Sequence, residues 1–390
     1  MSDNMRGVFN TINPTGTGSE GYDPYLQAND NAGEYTTYDW IEYMPDGFKL
    51  RNTGQSLNSD NSEYVYIAIR ADDGYTSKLP TAGAEVFTVS RGNGRTSIPA
   101  MIAGFPVDFF FMKYYASSSG NFDSSNRLTG NGFVRPNTKE AAQDSDGYVF
   151  DDSIGIGGGG VNWITNDAQG WLWKKGRGFD VVLFEGNGVQ GRDVRHGLGV
   201  PPDMMWLKNR TRTAGGGSDW NVYVRGITQL NVYGSDPDNY GNNPPTLELN
   251  SSEQANFSMS GTWDHTHPTS THFRVGDTYN TNENGSSMQA LLFASIDGIS
   301  KIGYYAGDGT SSRALNFGFR PRFLLQKRVD GGGSWALYDD LRGFDKRLIL
   351  NTNAAQVSAW EFTQTATGVI INDTSGYNNS SEVYIYYAHA

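Results

Sequence analysis

Apolar residues in this chain fall in short runs bounded by Gly, Asn, Asp and Ser. Examples are Val86-Phe87-Thr88-Val89, Val181-Val182-Leu183-Phe184 and Ile302-Gly303-Tyr304-Tyr305. The last run, Val383-Tyr384-Ile385-Tyr386, alternates β-branched and aromatic residues, the pattern of a strand with two distinct faces. No sustained helical period is present. The best helical stretch, Thr138-Lys139-Glu140-Ala141-Ala142-Gln143, gives little more than one turn. Several short strands per unit of about 100 residues predict an all-β chain of tandem antiparallel β-sandwich domains, with a jelly roll as the expected topology.

The pattern repeats. Gly92-Asn93-Gly94, Gly186-Asn187-Gly188 and Gly307-Asp308-Gly309 each follow an apolar run. A second glycine comes next (Gly104, Gly197, Gly318), then a proline-containing turn, and then a lysine (Lys113, Lys208, Lys327). A second half-unit alternates with the first. It is clearest in Asp339-Asp340-Leu341-Arg342-Gly343, Leu348-Ile349-Leu350-Asn351, Gly368-Val369-Ile370-Ile371 and the final strand from Ser381. Its counterparts at the start are Asp3 to Gly7, Gly47-Phe48-Lys49-Leu50 and Ser62-Glu63-Tyr64-Val65-Tyr66-Ile67-Ala68. In the first whole unit, residues 128–131 take the place of the Leu-x-Leu-Asn element, and 131–165 reads as an insertion. The expected division is 1–72 as the second half of a sandwich unit, followed by whole units at 73–178, 179–298 and 299–390. Very short linkers favour a rigid rod or arc. Two explanations fit a start in the middle of a repeat: the sequence is a piece of a longer chain, or residues 1–72 complete their sheet with strands from elsewhere. An unaccompanied half sandwich would bare sheet edges, so residues 1–72 are expected to pack against another chain or segment.

Composition narrows the function. Asp and Glu outnumber Lys and Arg to give a formal net charge of -12, which disfavours nucleic acid, whose binding rests on cations meeting phosphate. The chain has no cysteine, which excludes disulfides, thiolate metal sites and cysteine nucleophiles and fits assembly in a reducing cytoplasm. The N-terminal residues form no signal-peptide core, and no apolar run reaches membrane-spanning length.

Few constellations suggest chemistry. Gly186-Asn187-Gly188-Val189-Gln190-Gly191 fits a dinucleotide fingerprint, but Pro201 and Pro202 break any helix that would have to follow, so a repeat-specific turn is expected. His265, His267 and His272 could offer imidazoles to a metal, the plain alternative being a polar loop. Asp144, Asp146, Asp151 and Asp152 could hold Ca²⁺, although the EF-hand pattern is missing and an acidic turn explains them as well. Arg95, Arg192 and Arg313 recur after the glycine turn, and Arg6, Arg225 and Arg342 recur in the other half-unit. A structural role is expected for both sets, with sugar carboxylates as the alternative partner. Trp163, Trp171, Trp173, Trp220 and Trp263 are the candidate glycan-contact residues, while Trp335 and Trp360 are expected in the core. No catalytic residue is assigned.

The order apolar strand, G-N/D-G, G-F-x-P, Lys, then Ser334-Trp335-Ala336-Leu337-Tyr338-Asp339-Asp340-Leu341-Arg342-Gly343 and Leu348-Ile349-Leu350-Asn351 resembles a repeat domain of unknown function from large virion proteins of marine and freshwater tailed phages. That domain is similar to concanavalin-like jelly rolls. The resemblance implies a sandwich fold and a virion location. The expected function is a non-enzymatic structural protein of the particle: a fibre, decoration or tail-associated component. Its expected partners are other virion proteins, copies of itself and host-surface glycan, with no nucleic acid and no membrane. A carbohydrate-binding adhesin is the alternative, and a glycan-degrading tailspike is a more distant one.

Overall fold

The computed structural model describes residues 25–33, 41–44, 47–50, 57–68, 80–94, 99–130, 132–144, 148–150, 152–157, 164–228, 232, 243–257 and 260–390. The expectations placed on Arg6, Arg95, Asn131, Asp146, Asp151 and Trp163 lie outside the described residues.

The chain is built of antiparallel strands, as the short apolar runs predict. Near its start, β1 (Ile41–Met44) and β2 (Gly47–Leu50) form a hairpin. Among the described residues, eight strands follow in the first whole unit: β3 (Phe87–Arg91), β4 (Met101–Ile102), β5 (Phe109–Tyr114), β6 (Asp123–Asn126), β7 (Gly132–Val134), β8 (Gln143–Asp144), β9 (Gly155–Ile156) and β10 (Ala168–Trp173). The second unit has β11 (Phe179–Glu185), β12 (Arg192–Arg195), β13 (Met204–Asn209), β14 (Trp220–Val224), β15 (Leu247–Glu248), β16 (His272–Val275) and β17 (Ser287–Phe293). The third has β18 (Ser300–Ala306), β19 (Arg313–Asn316), β20 (Phe323–Arg328), β21 (Ala336–Asp339), β22 (Lys346–Ile349), β23 (Val357–Ser358), β24 (Phe362–Gln364), β25 (Gly368–Ile371) and β26 (Val383–His389).

The three large sheets share one strand order: β3-β10-β5-β6-β7-β8, β11-β17-β13-β14-β15 and β18-β26-β20-β21-β22-β23. In each, the last strand of the unit lies between the first and the third. A small sheet packs on each large one: β4-β9, β12-β16 and β19-β25-β24. Registers coincide as well, with Trp173, Phe293 and His389 opposite Phe109, Met204 and Phe323 respectively. Residues 138–143 are not helical. They run as a turn and extended chain into β8, because the peptide groups of Lys139 and Ala142 are taken up by the second unit.

Strand period two divides each large sheet between two cores. On β5, Phe110 and Met112 face the first unit's own small sheet and join Met101, Tyr148 and Ile156. Met205 and Leu207 on β13 do the same with Phe273 and Val275, and Leu324 on β20 with Val369 and Ile371. The alternate residues Phe109, Phe111, Met204, Trp206, Phe323 and Leu325 meet in one core built by all three units. Rings from different units touch directly: Phe87 with Phe323 at 5.6 Å, Phe109 with Phe179 at 5.6 Å, and Phe293 with Tyr387 at 5.2 Å. Trp173 Nε1 donates to the Tyr387 hydroxyl at 3.0 Å, which pairs two of the polar tips in this core. Burial holds the His389 imidazole, stacked near Phe87, down to about 3, and it is neutral there.

The units do not form the expected rod or arc. They close cyclically, and the same backbone hydrogen bond makes each closure. Ala142 N donates to Arg210 O (2.7 Å), Ala255 N to Val329 O (2.8 Å) and Gln356 N to Tyr115 O (2.8 Å). The first unit thus docks on the second, the second on the third and the third on the first. Sharing one core couples the units energetically. Thermal unfolding is expected to be a single calorimetric transition, and Trp206→Ala, which opens a cavity between units, should lower stability by about 3–5 kcal/mol while keeping one transition. Separate transitions for separate units in the wild-type scan would show that the shared core does not couple them.

Candidate functional site

The residues repeated in sequence occupy equivalent places at the three junctions. Lys113, Lys208 and Lys327 lie near the ends of the third strands and are fully buried. Each ammonium nitrogen donates to a carbonyl in its own following hairpin: Gly120, Ser218 and Gly333. Lys113 also donates to Asn353 O (3.1 Å) and Lys208 to Lys139 O (3.0 Å), each in the neighbouring unit. Two residues after those hairpin carbonyls stand Phe122, Trp220 and Trp335. Their backbone nitrogens are capped by Asn137, Asn250 and Asn351 at 3.0, 2.8 and 2.9 Å. Trp220 Nε1 then donates to Arg135 O and Trp335 Nε1 to Glu248 O, both at 2.9 Å across a junction. The first unit's counterpart of Leu-x-Leu-Asn is therefore the segment ending at Asn137, not residues 128–131. Its counterpart of the tryptophan is Phe122, whose ring has no N–H to donate across the junction.

The glycine turn is likewise structural. A Cβ on Gly92, Gly186 or Gly307 would collide with the carbonyl of Thr165, Glu283 or Asn379, and Gly94, Gly188 and Gly309 have φ of 69°, 66° and 71°. Asn282 and Asn378 hold the turn, donating to Asn187 Oδ1 (2.9 Å) and Asp308 Oδ1 (2.6 Å). Arg192 and Arg313 donate to those asparagines and to the carbonyls of Glu185 and Ala306. No helix follows Gly191, and β12 begins at the next residue, so the fingerprint is a turn. Arg225 and Arg342 are not equivalent. Arg225 pairs with Asp203 (3.9 Å) as Arg127 does with Asp108 (3.0 Å). The third unit reverses this charge pair as Arg322 and Asp340 (3.4 Å). Arg342 instead forms a buried pair with Asp339 at 2.6 Å.

The four candidate tryptophans among the described residues are inside. Trp171, Trp173, Trp220 and Trp263 are buried, the first three in the shared core and Trp263 against Tyr223 in the second unit. A ring stacked between protein groups offers no face to a sugar. The histidines do not converge: His267 Nδ1 lies 3.0 Å from the Tyr223 hydroxyl and His272 Nδ1 2.9 Å from Thr271 Oγ1, while His265 stands exposed. Among the described residues no group of three His, Asp or Glu is placed to hold a metal ion. Asp144 is exposed on β8, and Asp152 Oδ1 accepts from Ile154 N at 2.8 Å, as a turn aspartate does.

Trp335 is in the core as expected, but Trp360 is not: it is 63% exposed, the one exposed tryptophan among the described residues. Its backbone is fixed on both sides, with N donating to Glu361 Oε2 (3.0 Å) and O accepting from Asn372 Nδ2 (2.8 Å). Glu361 is buried and paired with Arg347, and it accepts from the Tyr338 hydroxyl at 3.3 Å. Arg347 also donates to the Tyr377 hydroxyl at 2.9 Å. Burial pushes both phenols upward, so they stay protonated. An indole held this way presents an apolar ring face to solvent at little ordering cost. The residue order Ala359-Trp360-Glu361-Phe362 hides this, because the buried position falls to the charged Glu361. The acid's distant partner Arg347 was the missing signal.

The lysines make the junctions pH-sensitive. Burial pulls Lys208 down to about 7 and Lys113 and Lys327 down to about 8, and nearby carboxylates oppose the shift only in part. Unfolding returns each to the ordinary value of 10.5. The unfolded chain then binds more protons between about pH 7 and 10.5, so this contribution makes stability rise with pH across that window. Urea unfolding at a series of pH values should show that slope, and Lys208→Met should flatten it. An unchanged slope in the variant would mean that Lys208 is fully charged in the fold.

No curated protein and no solved structure matches the chain. A family model does match, over residues 124–390, well over half of the sequence, and on that ground the chain belongs to the family described as a domain of unknown function, DUF7483.

Proposed function

We propose that this chain is a non-enzymatic structural component of a tailed-phage virion, a fibre, decoration or tail-associated protein assembled in the host cytoplasm and carried on the particle. The observation that carries the reading is where the repeated polar residues go. The lysines, the capping asparagines and the glycine-turn arginines are all used within the fold, on junctions and turns. Such use favours a building block over a reaction centre. The buried carboxylates Asp339 and Glu361 are each neutralised by an arginine, which leaves them poorly suited to acid–base work. The resemblance of the repeat to virion domains supplies the phage setting, and the absence of cysteine suits assembly in a reducing compartment. No metal or cofactor enters this reading.

Trp360 favours the related reading of an adhesin that contacts neutral host-surface glycan, since an exposed indole on a fixed backbone suits a sugar face. Peptide mass spectrometry of purified particles, with antibody labelling in the electron microscope, is expected to place the chain on the virion. Its absence from particles that infect normally would overturn the structural reading. For the contact, Trp360→Ala should weaken binding to host cells or a glycan array about 10-fold or more, the scale of losing one stacked aromatic. Because the ring is in water, its melting temperature should stay within a few degrees of wild type. Equal binding by the two proteins would remove Trp360 from the contact.

A further inference from the structure

The segment 57–68 has the local structure of a unit's last strand without the surroundings of one. The match to the end of the third unit is residue by residue. Ser59 N donates to the Tyr64 hydroxyl at 2.8 Å, as Asn379 N does to the Tyr384 hydroxyl at 3.2 Å. Ser62 N donates to Ser59 O at 3.3 Å, as Glu382 N does to Asn379 O at 3.2 Å. Asn61 and Ser381 both have positive φ, 58° and 68°. In this frame Val65, Tyr66 and Ile67 correspond to Ile385, Tyr386 and Tyr387 of β26. The small-sheet side is also started. Phe48 of the β1–β2 hairpin meets the Tyr66 ring edge-on at 5.3 Å, as Val369 and Tyr386 share a core in the third unit.

The surroundings differ completely. Ile385 and Tyr387 are buried in the shared core, whereas Val65 is 100% and Ile67 88% exposed. β26 lies between β18 and β20, with Ile385 opposite both Tyr304 and Lys327, while residues 65–68 belong to no ladder among the described residues. Three consecutive large apolar side chains standing in water, Val65, Tyr66 and Ile67, mark a surface built to be covered. The repeat itself shows the cover: the first and third strands of a unit.

We propose that residues 62–68 accept strands from a segment outside residues 1–390 that carries the first half of a unit of this same repeat: an apolar strand, the G-N/D-G turn, the Gly-Pro turn and a strand ending in the buried lysine. The acceptor strand enters between them, antiparallel to both, with Val65 opposite the counterparts of Tyr304 and Lys327. Backbone pairing supplies affinity, and the alternate side chains supply register. Another copy of this chain is a poor donor, because its three first halves are already paired with their own last strands.

The test uses the full chain and a synthetic fragment with the sequence of residues 299–330. Amide exchange at residues 65–68 is expected to be fast in the free chain and to slow by about 100-fold or more with the fragment, as on entry into a sheet. Val65→Asp with Ile67→Asp should abolish that protection and leave the melting of the three units unchanged. Three results would overturn the proposal: protection of these residues in the free, dilute chain; protection that rises with chain concentration alone, which would make a second copy the occupant; or no protection at saturating, soluble fragment.

Discussion

A β-sheet with two apolar faces cannot leave either of them in water, and the architecture follows from that constraint. Each third strand is apolar on both sides: Phe109-Phe110-Phe111-Met112, Met204-Met205-Trp206-Leu207, Phe323-Leu324-Leu325. A unit's own small sheet covers one face only. The other face needs a second cover, and the cheapest source is the same face of its neighbours. Three such faces meeting in one core leave none exposed, which two or more units in a line would not achieve. Aromatic side chains suit that meeting, because large rings fill the space between sheets that do not interdigitate strand for strand.

Closing the units creates a polar problem at every junction, and the repeated residues answer it. A sheet edge brought against a neighbour must satisfy its backbone groups. The closing hydrogen bond, the lysine and the capping asparagine do this at equivalent places. At two of the junctions the lysine amine, of Lys113 and of Lys208, reaches two carbonyls that belong to different units, tying them through one atom. The accompanying loss of basicity is the physical record of that burial. Repetition in the three whole units therefore marks assembly of the fold, and the exposed indole stands outside the repeated set. Trp360 has that character, with its backbone fixed by Glu361 and Asn372 and its ring free.

Much of the fold was legible because turns and strands are written locally. The glycine pairs, the recurring lysine and the alternation in the final strand each reflect a local requirement, a positive φ or a buried face. The cyclic closure was less legible, although the unbroken run Phe109-Phe110-Phe111-Met112 carried the signal: strands buried on both faces lose their alternation. The tryptophans were misplaced for the same reason, since an indole near a turn is as compatible with a second core as with solvent. In the first unit, Phe122 and Asn137 stand where the other units have tryptophan and the Leu-x-Leu-Asn asparagine, and only the hydrogen bonds identify them. Arg342 and Arg225 look alike in sequence, yet strand register separates them by two residues.

A chain made of near-copies must also avoid pairing the wrong halves. The reversed charge pair in the third unit acts against that error. Asp108 and Asp203 sit at the start of the third strand, with Arg127 and Arg225 beyond the fourth, whereas the third unit has Arg322 and Asp340 in those places. Exchanging the first half of the third unit with that of either other unit would set arginine against arginine and aspartate against aspartate. The pairs of the second and third units are partly exposed, so their attraction adds little stability, whereas Arg127 is buried beside Asp108. Their value lies in the difference between right and wrong partners, where a repulsion replaces an attraction.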